Sequence, residues 1–184
     1  MEPVALTDGT VVLRALLPRD IDDVTLACQD LETQAWTTVP VPYTRENSLD
    51  FVANHGPGSQ GWTEGRNPLW VITLAAEGAG GRYGGALDLR LDDEGGAEVG
   101  YALAPWLRGQ GNMQRALRLA CRWAFEDRGL ARIVWYAHVG NTASRRTAEA
   151  VGFKVLDGIL RQALVSRDVR HDGWVGDLLP GDLR

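Results

Sequence analysis

The segment that most constrains the fold is residues 106–113, Trp-Leu-Arg-Gly-Gln-Gly-Asn-Met, because a strand-like run enters it and an amphipathic helix leaves it. Residues 97–105 (Ala-Glu-Val-Gly-Tyr-Ala-Leu-Ala-Pro) read as a strand that Pro105 stops, since proline cannot donate to a ladder. Beyond the loop, Met113, Ala116, Leu117, Ala120, Cys121 and Ala124 recur at i, i+3, i+4 spacing, which is one face of a helix. A glycine-rich turn entering a helix exposes N–H groups that have no intrahelical partner. Together with the positive end of the helix dipole they suit an anion such as a pyrophosphate.

The rest of the chain repeats this alternation. A strand over 11–16 leads to a helix over 18–28 with acidic residues at its start (Asp20, Asp22, Asp23). A further helical turn spans 30–36, Pro40-Val41-Pro42 interrupts it, and another helix over 43–54 begins near Thr44. Residues 55–68 are rich in Gly, Pro, Ser, Asn and Thr and read as a loop. Strands follow over 69–75, 84–91 and 98–103, then a helix over 112–128, a strand over 131–138, a helix over 142–151, and strands over 153–156 and 169–179. The order predicts a mixed α/β fold around one central sheet, and no linker divides the 184 residues, so a single domain over 1–184 is expected.

Composition narrows the function classes. Hydrophobic residues make up 45% and charged residues 23%, as in a globular protein. No apolar run approaches the ~20 residues that span a bilayer, and the N-terminal residues lack a basic-then-apolar signal, so a cytoplasmic protein with no membrane partner is expected. The net charge of −5 argues against nucleic-acid binding. Cys28 and Cys121 read as reduced core thiols, and no metal site is expected. Trp70, Trp123, Trp135 and Trp174 lie in regular elements and read as packing residues, and the Asp92-Asp93-Glu94 run reads as a polar turn.

From 98 to 153 the chain resembles the GNAT superfamily of acyl-CoA-dependent acyltransferases. That superfamily's phosphate loop follows Arg/Gln-x-x-Gly-x-Gly/Ala, and Arg108, Gly111 and Met113 occupy its three positions; Met113 departs from the small residue usual there. A second block, Asn141-Thr142-Ala143-Ser144-Arg145-Arg146 leading to Glu149, Gly152 and Phe153, resembles the branch of the ribosomal-protein N-terminal (Rim-type) acetyltransferases. The opening 11–15 followed by an acidic helix start is similar to that branch as well.

The resemblance implies a GNAT fold: a mixed central sheet, flanked by helices, in which the strand 98–103 splays from its parallel neighbour 133–138. It implies acetyl-CoA, or another short acyl-CoA, as co-substrate. The pantetheine arm would lie in the gap against the backbone of Tyr101, Ala102 and Leu103, one of which would polarise the thioester carbonyl, a role worth roughly 3 kcal/mol of barrier. Arg108, Gly109, Gln110, Gly111, Asn112 and Met113 would take the pyrophosphate, and Asn141 the pantetheine arm. Arg146, beside Arg145, would reach a cofactor phosphate or belong to a solvated helix face. Many members place a tyrosine seven residues after the asparagine to protonate the leaving thiolate; here that position is Ala148, and Ser144 is the replacement.

The expected base is Glu98, with Asp88 and His138 behind it. Trp36 and Trp62, with Asp88, would line the acceptor side. The acceptor would be a protein N-terminus or a small amine such as an antibiotic, and a homodimer is common in the branch. The competing reading, which the residues at Ala148 and Met113 favour, is a non-catalytic acyl-CoA-binding or regulatory protein.

Overall fold

The chain enters through a short hairpin, Leu6–Thr7 (β1) against Val11–Arg14 (β2), and a 3₁₀ turn, Pro18–Asp20, leads into Ile21–Gln29 (α1). The computed structural model describes the backbone of residues 1–184 and every side chain but that of Ala79. Asp30 caps Leu31–Trp36 (α2) by accepting the Thr33 N–H at 2.9 Å. Thr44 caps Arg45–His55 (α3) through a reciprocal box with Asn47. Then come Gln60–Thr63 (α4), the strands Leu69–Leu74 (β3), Gly85–Leu91 (β4) and Gly96–Leu103 (β5), and the helix Asn112–Glu126 (α5). Arg132–His138 (β6), Thr142–Val151 (α6), Lys154–Val155 (β7), Leu160–Ser166 (β8) and Val169–Leu178 (β9) complete the chain.

The strands form one sheet in the order β1-β2-β3-β4-β5-β6-β9-β7, with β8 pairing β9. β5 and β6 run parallel and the other pairs antiparallel, which is the mixed sheet the sequence predicts. The β5–β6 ladder stops at Val99–Trp135, although β5 continues to Leu103 and β6 to His138. The expected splay is therefore present, and it opens at Gly100.

Helices cover both faces. On one, α5 sets Ala116, Leu117, Ala120 and Cys121 against Leu87, Leu89, Val99 and Ile133. On the other, α1 and α3 pack Ile21, Val24 and Val52 on Leu69, Val71 and Ala104. Three elements were not expected: the two-residue strand β1, the helix α4 and the strand β8. α4 lies inside the predicted loop 55–68 and carries Trp62 into the core. β8 was not foreseen because most of its side chains are exposed, so no apolar alternation marks it; pairing with β9 alone makes it a strand. Among the described residues no helix is long and apolar enough to cross a membrane.

Candidate active site

The alternation of a strand decides which groups border the gap between β5 and β6. The Ala104 N–H donates to the Gly84 carbonyl on the β4 side at 2.9 Å, so even-numbered residues of β5 spend their backbone groups on β4. Tyr101 and Leu103 face the gap with theirs. Ala102 does not: its carbonyl points to Gly85, where an added Cβ would lie 2.3 Å from it. The expected trio of backbone partners is thus corrected to Tyr101 and Leu103, with the Ala102 side chain left to line the cavity floor.

At the end of β5 the chain turns through Pro105–Leu107 into the loop 108–113. Gly109 and Gly111 both adopt φ of +76°, and the space where a Cβ would sit is open at each. Gly111 caps α5 without any side-chain bond, so the first N–H groups of the helix are free to take an anion. Asn112 is buried and donates to the Leu107 carbonyl at 3.1 Å, which staples the loop. Met113 is buried in the core, so its bulk lies beneath the turn and leaves the cradle open. Gln110 and Gly111 also border a groove of about 360 Å³ with Arg115, Arg118 and Arg122. That arginine stripe was written in the i, i+3, i+7 spacing but was not singled out.

Arg108 behaves differently from the expectation. Its guanidinium turns back and binds Asp30 at 2.7 Å, Glu32 at 2.8 Å and Thr33 at 2.8 Å, and its Nε donates to the Leu103 carbonyl at 3.1 Å. It clasps α2 to the loop, so the guanidinium is turned away from the N–H groups of the glycine turn.

Across the gap, Asn141 caps α6, its Oδ1 accepting the Ser144 N–H at 3.1 Å. Ser144 Oγ accepts from Trp135 Nε1 and donates to the Tyr101 hydroxyl, both at 3.1 Å, and that hydroxyl donates to the Ser144 carbonyl at 3.0 Å. Trp135 is therefore more than packing: with Tyr101 it fixes the serine hydroxyl. Burial pushes the Tyr101 phenol well up from its ordinary value. Arg145 pairs with Glu149 and lies over Trp174, whereas Arg146 is exposed on the first turns of α6.

On the other face the gap opens into a cavity of about 740 Å³. Its walls come from α2 (Trp36), α3 (Asp50, Phe51), β6 (Tyr136, His138) and β8 (Leu164, Val165). Trp36 spans the mouth, since a Cβ on Gly140 would lie 3.4 Å from its ring. The floor carries Asp88 and Arg90 on β4 and Glu98 and Gly100 on β5. Arg90 pairs with Asp88 and, at 2.6 Å, with Glu98. Burial raises the Asp88 carboxyl above its ordinary value despite Arg90. His138 stacks on His171 at 4.5 Å; burial, that neighbour and Arg167 lower it.

Trp62 is corrected outright. It is fully buried, packs edge-on against Trp70 at 5.2 Å, and is absent from the cavity lining, so it is a core residue and not an acceptor wall. Gly100 and Arg90 were not among the expected site residues. A glycine inside a strand is a signal of close approach, and Gly100 carried it. Cys28 and Cys121 are both free, as expected, and burial pushes the Cys28 thiol up to about 11, which keeps it unreactive.

The profile of the family described as "Acetyltransferase (GNAT) domain" matches residues 10–154. A protein of Bacillus subtilis (strain 168), provisionally named ribosomal N-acetyltransferase YdaF, is 37% identical over 76 residues. The match spans 41% of this chain and 41% of that relative, less than half its length. Among solved structures, a provisionally named ribosomal-protein-serine acetyltransferase from Vibrio cholerae superposes with a TM-score of 0.81 at 15% identity, over 96% of this chain and 98% of that one. Mycobacterium smegmatis RimJ, in complex with CoA-disulfide, superposes with a TM-score of 0.80 at 22% identity, over 100% of this chain and 89% of that one. At such identities the structural matches establish the shared fold.

Proposed function

The chain belongs to the GNAT acetyltransferase family, and from that premise we propose that residues 1–184 form one domain that transfers an acetyl group from acetyl-CoA to a free amine. The observation that carries the reading is the open gap beyond Val99–Trp135, with the bare glycine loop at one end and the acceptor cavity at the other. The residues fit the co-substrate. The N–H groups of the loop and of the first turn of α5 would hold the pyrophosphate. Tyr101 and Leu103 would pair with the pantetheine arm, and the amide of Asn141, whose oxygen is spent on the helix cap, keeps its N–H donors for it.

When bound, acetyl-CoA supplies a thioester carbonyl at the splay. A backbone N–H facing the gap would hydrogen-bond the oxygen on which charge develops. The Ser144 hydroxyl would rotate from Tyr101 to protonate the sulfur. A thiol of pKa ~8.5 asks little of that donor.

For the acceptor, the α-amine of a protein or peptide is the better fit. An α-amino group of pKa about 7.7–8.0 is roughly a tenth neutral at pH 7, against well under ~0.1% for a lysine. The cavity is of a size that takes a drug-sized ligand or a few residues of chain. The names of the relatives, ribosomal-protein acetyltransferases, agree with this choice. The test incubates the protein with acetyl-CoA and a panel of unblocked peptides and small amines, reading free thiol and the mass of the product. Thiol release with an acetylated peptide N-terminus is the expected result. CoA binding without transfer to any amine would leave the non-catalytic reading standing.

A further inference from the structure

Two carboxylates share one arginine on the floor of the acceptor cavity, and their positions relative to the splay are not equal. Glu98 sits opposite Val134, inside the closed part of the β5–β6 ladder. Asp88 sits opposite Gly100, the first residue past the last closed pair. Cross-strand partners share a face, so the Asp88 side chain rises on the cavity side directly over Gly100. The absence of a side chain there is what admits it: a Cβ on Gly100 would lie 2.5 Å from Asp88 Oδ1 and 2.9 Å from Arg90 Nη1. Asp88 is also the more enclosed of the two, with its side chain 19% exposed against 44% for Glu98.

Resting on the acetyltransfer reading above, we propose that Asp88 is the group that takes the proton from the acceptor ammonium, and that Glu98 is a positioning residue that holds Arg90 in place. Asp88 accepts one proton from the incoming ammonium and later returns it to solvent. The neutral nitrogen forms the C–N bond to the thioester carbonyl carbon, the C–S bond breaks, and the proton the nitrogen gives up on becoming an amide ends on the sulfur. Arg90 and Glu98 from the sheet, Asp50 and His55 from α3, and His138 from β6 share the cavity with Asp88. Of these, Arg90 and Glu98 are the groups in ion-pair contact around it. Two carboxylates against one guanidinium leave the floor anionic, which suits an acceptor that arrives as a cation.

The experiment compares kcat/KM of wild type, Asp88→Asn and Glu98→Gln from pH 6 to about pH 10, using the unblocked peptide that turns over best, with acetyl-CoA binding as the check on folding. Loss of a base matters while the amine is protonated and fades once it is free. Asp88→Asn should therefore cost about 100-fold at pH 7 and approach wild type well above the α-amino pKa of about 8. Glu98→Gln should cost a smaller factor that is the same at every pH. Gly100→Ala, which displaces the Asp88 carboxylate and keeps its chemistry, should show a smaller loss that also shrinks as the pH rises. A wild-type to Asp88→Asn ratio that stays flat with pH, or a pH-dependent loss in Glu98→Gln larger than that in Asp88→Asn, overturns the assignment while leaving acetyltransfer intact. A wild-type protein that acetylates none of the amines overturns both.

Discussion

The two faces of the splayed sheet meet at one gap but are built in different ways. The face toward α5 and α6 is assembled from short, local pieces: the backbone of Tyr101 and Leu103, the loop 108–113, and the first turn of α6. The groups proposed to hold the co-substrate there are mostly N–H and C=O, so its specification lies in glycine placement and helix starts. The opposite face is assembled from side chains carried by α2, α3, β4, β5, β6 and β8, which are scattered from Trp36 to Val165. A backbone site tolerates changes of side chain but not of φ, whereas a side-chain site behaves the other way. Arg108 ties the two together through Asp30 and Glu32.

The largest test of this contrast concerns the residue moved from one face to the core. Trp62→Ala should lower unfolding stability by about 3–5 kcal/mol, as expected for a fully buried aromatic, and Trp62→Phe should leave the acceptor KM at its wild-type value. A raised acceptor KM in Trp62→Phe would return Trp62 to the cavity wall. Next comes Gly111→Val, which forces a branched residue to φ of +76° at a cost of about 1–2 kcal/mol. The acetyl-CoA KM should rise about tenfold, with the acceptor KM little changed. The mirror experiment is Trp36→Ala, which should raise the acceptor KM about fivefold and leave acetyl-CoA binding alone. Equal effects on both substrates in either variant would dissolve the division between the faces.

The smallest effect is at the clasp between them. Burial would raise the Asp30 carboxyl, but hydrogen bonds from Thr33 and Arg108 outweigh it and hold the group below its usual value. A carboxyl lowered by folding binds fewer protons in the folded state. Its stabilisation is present above the unfolded pKa of about 3.9 and is lost as pH falls through the folded value. Thermal unfolding should therefore show a drop in Tm between pH 5 and pH 3, part of which disappears in Asp30→Asn.

The legible part of the molecule follows the same contrast. Residues 98–153 displayed a proline-stopped strand, two glycines, an amphipathic helix and a second helix over 142–151, all set by interactions within a few residues of each other. The helix start at Thr44 and the buried face of α5 were readable for the same reason. Trp62 was misplaced because its helix is four residues long and its burial is decided by Trp70, a neighbour in space. The direction of Arg108 was hidden because its carboxylate partners lie more than seventy residues away.

What the sequence determined by itself was the mixed fold and the glycine turn that enters α5, since backbone conformation there follows from glycine, proline and hydrophobic period; the parting of the two strands followed from the family resemblance. Tertiary structure alone decided that Ala102 turns its backbone away from the gap, that Met113 lies beneath the cradle, and that Asp88 stands over Gly100. Those outcomes depend on strand register, and register is settled when whole faces are buried against helices distant in the chain.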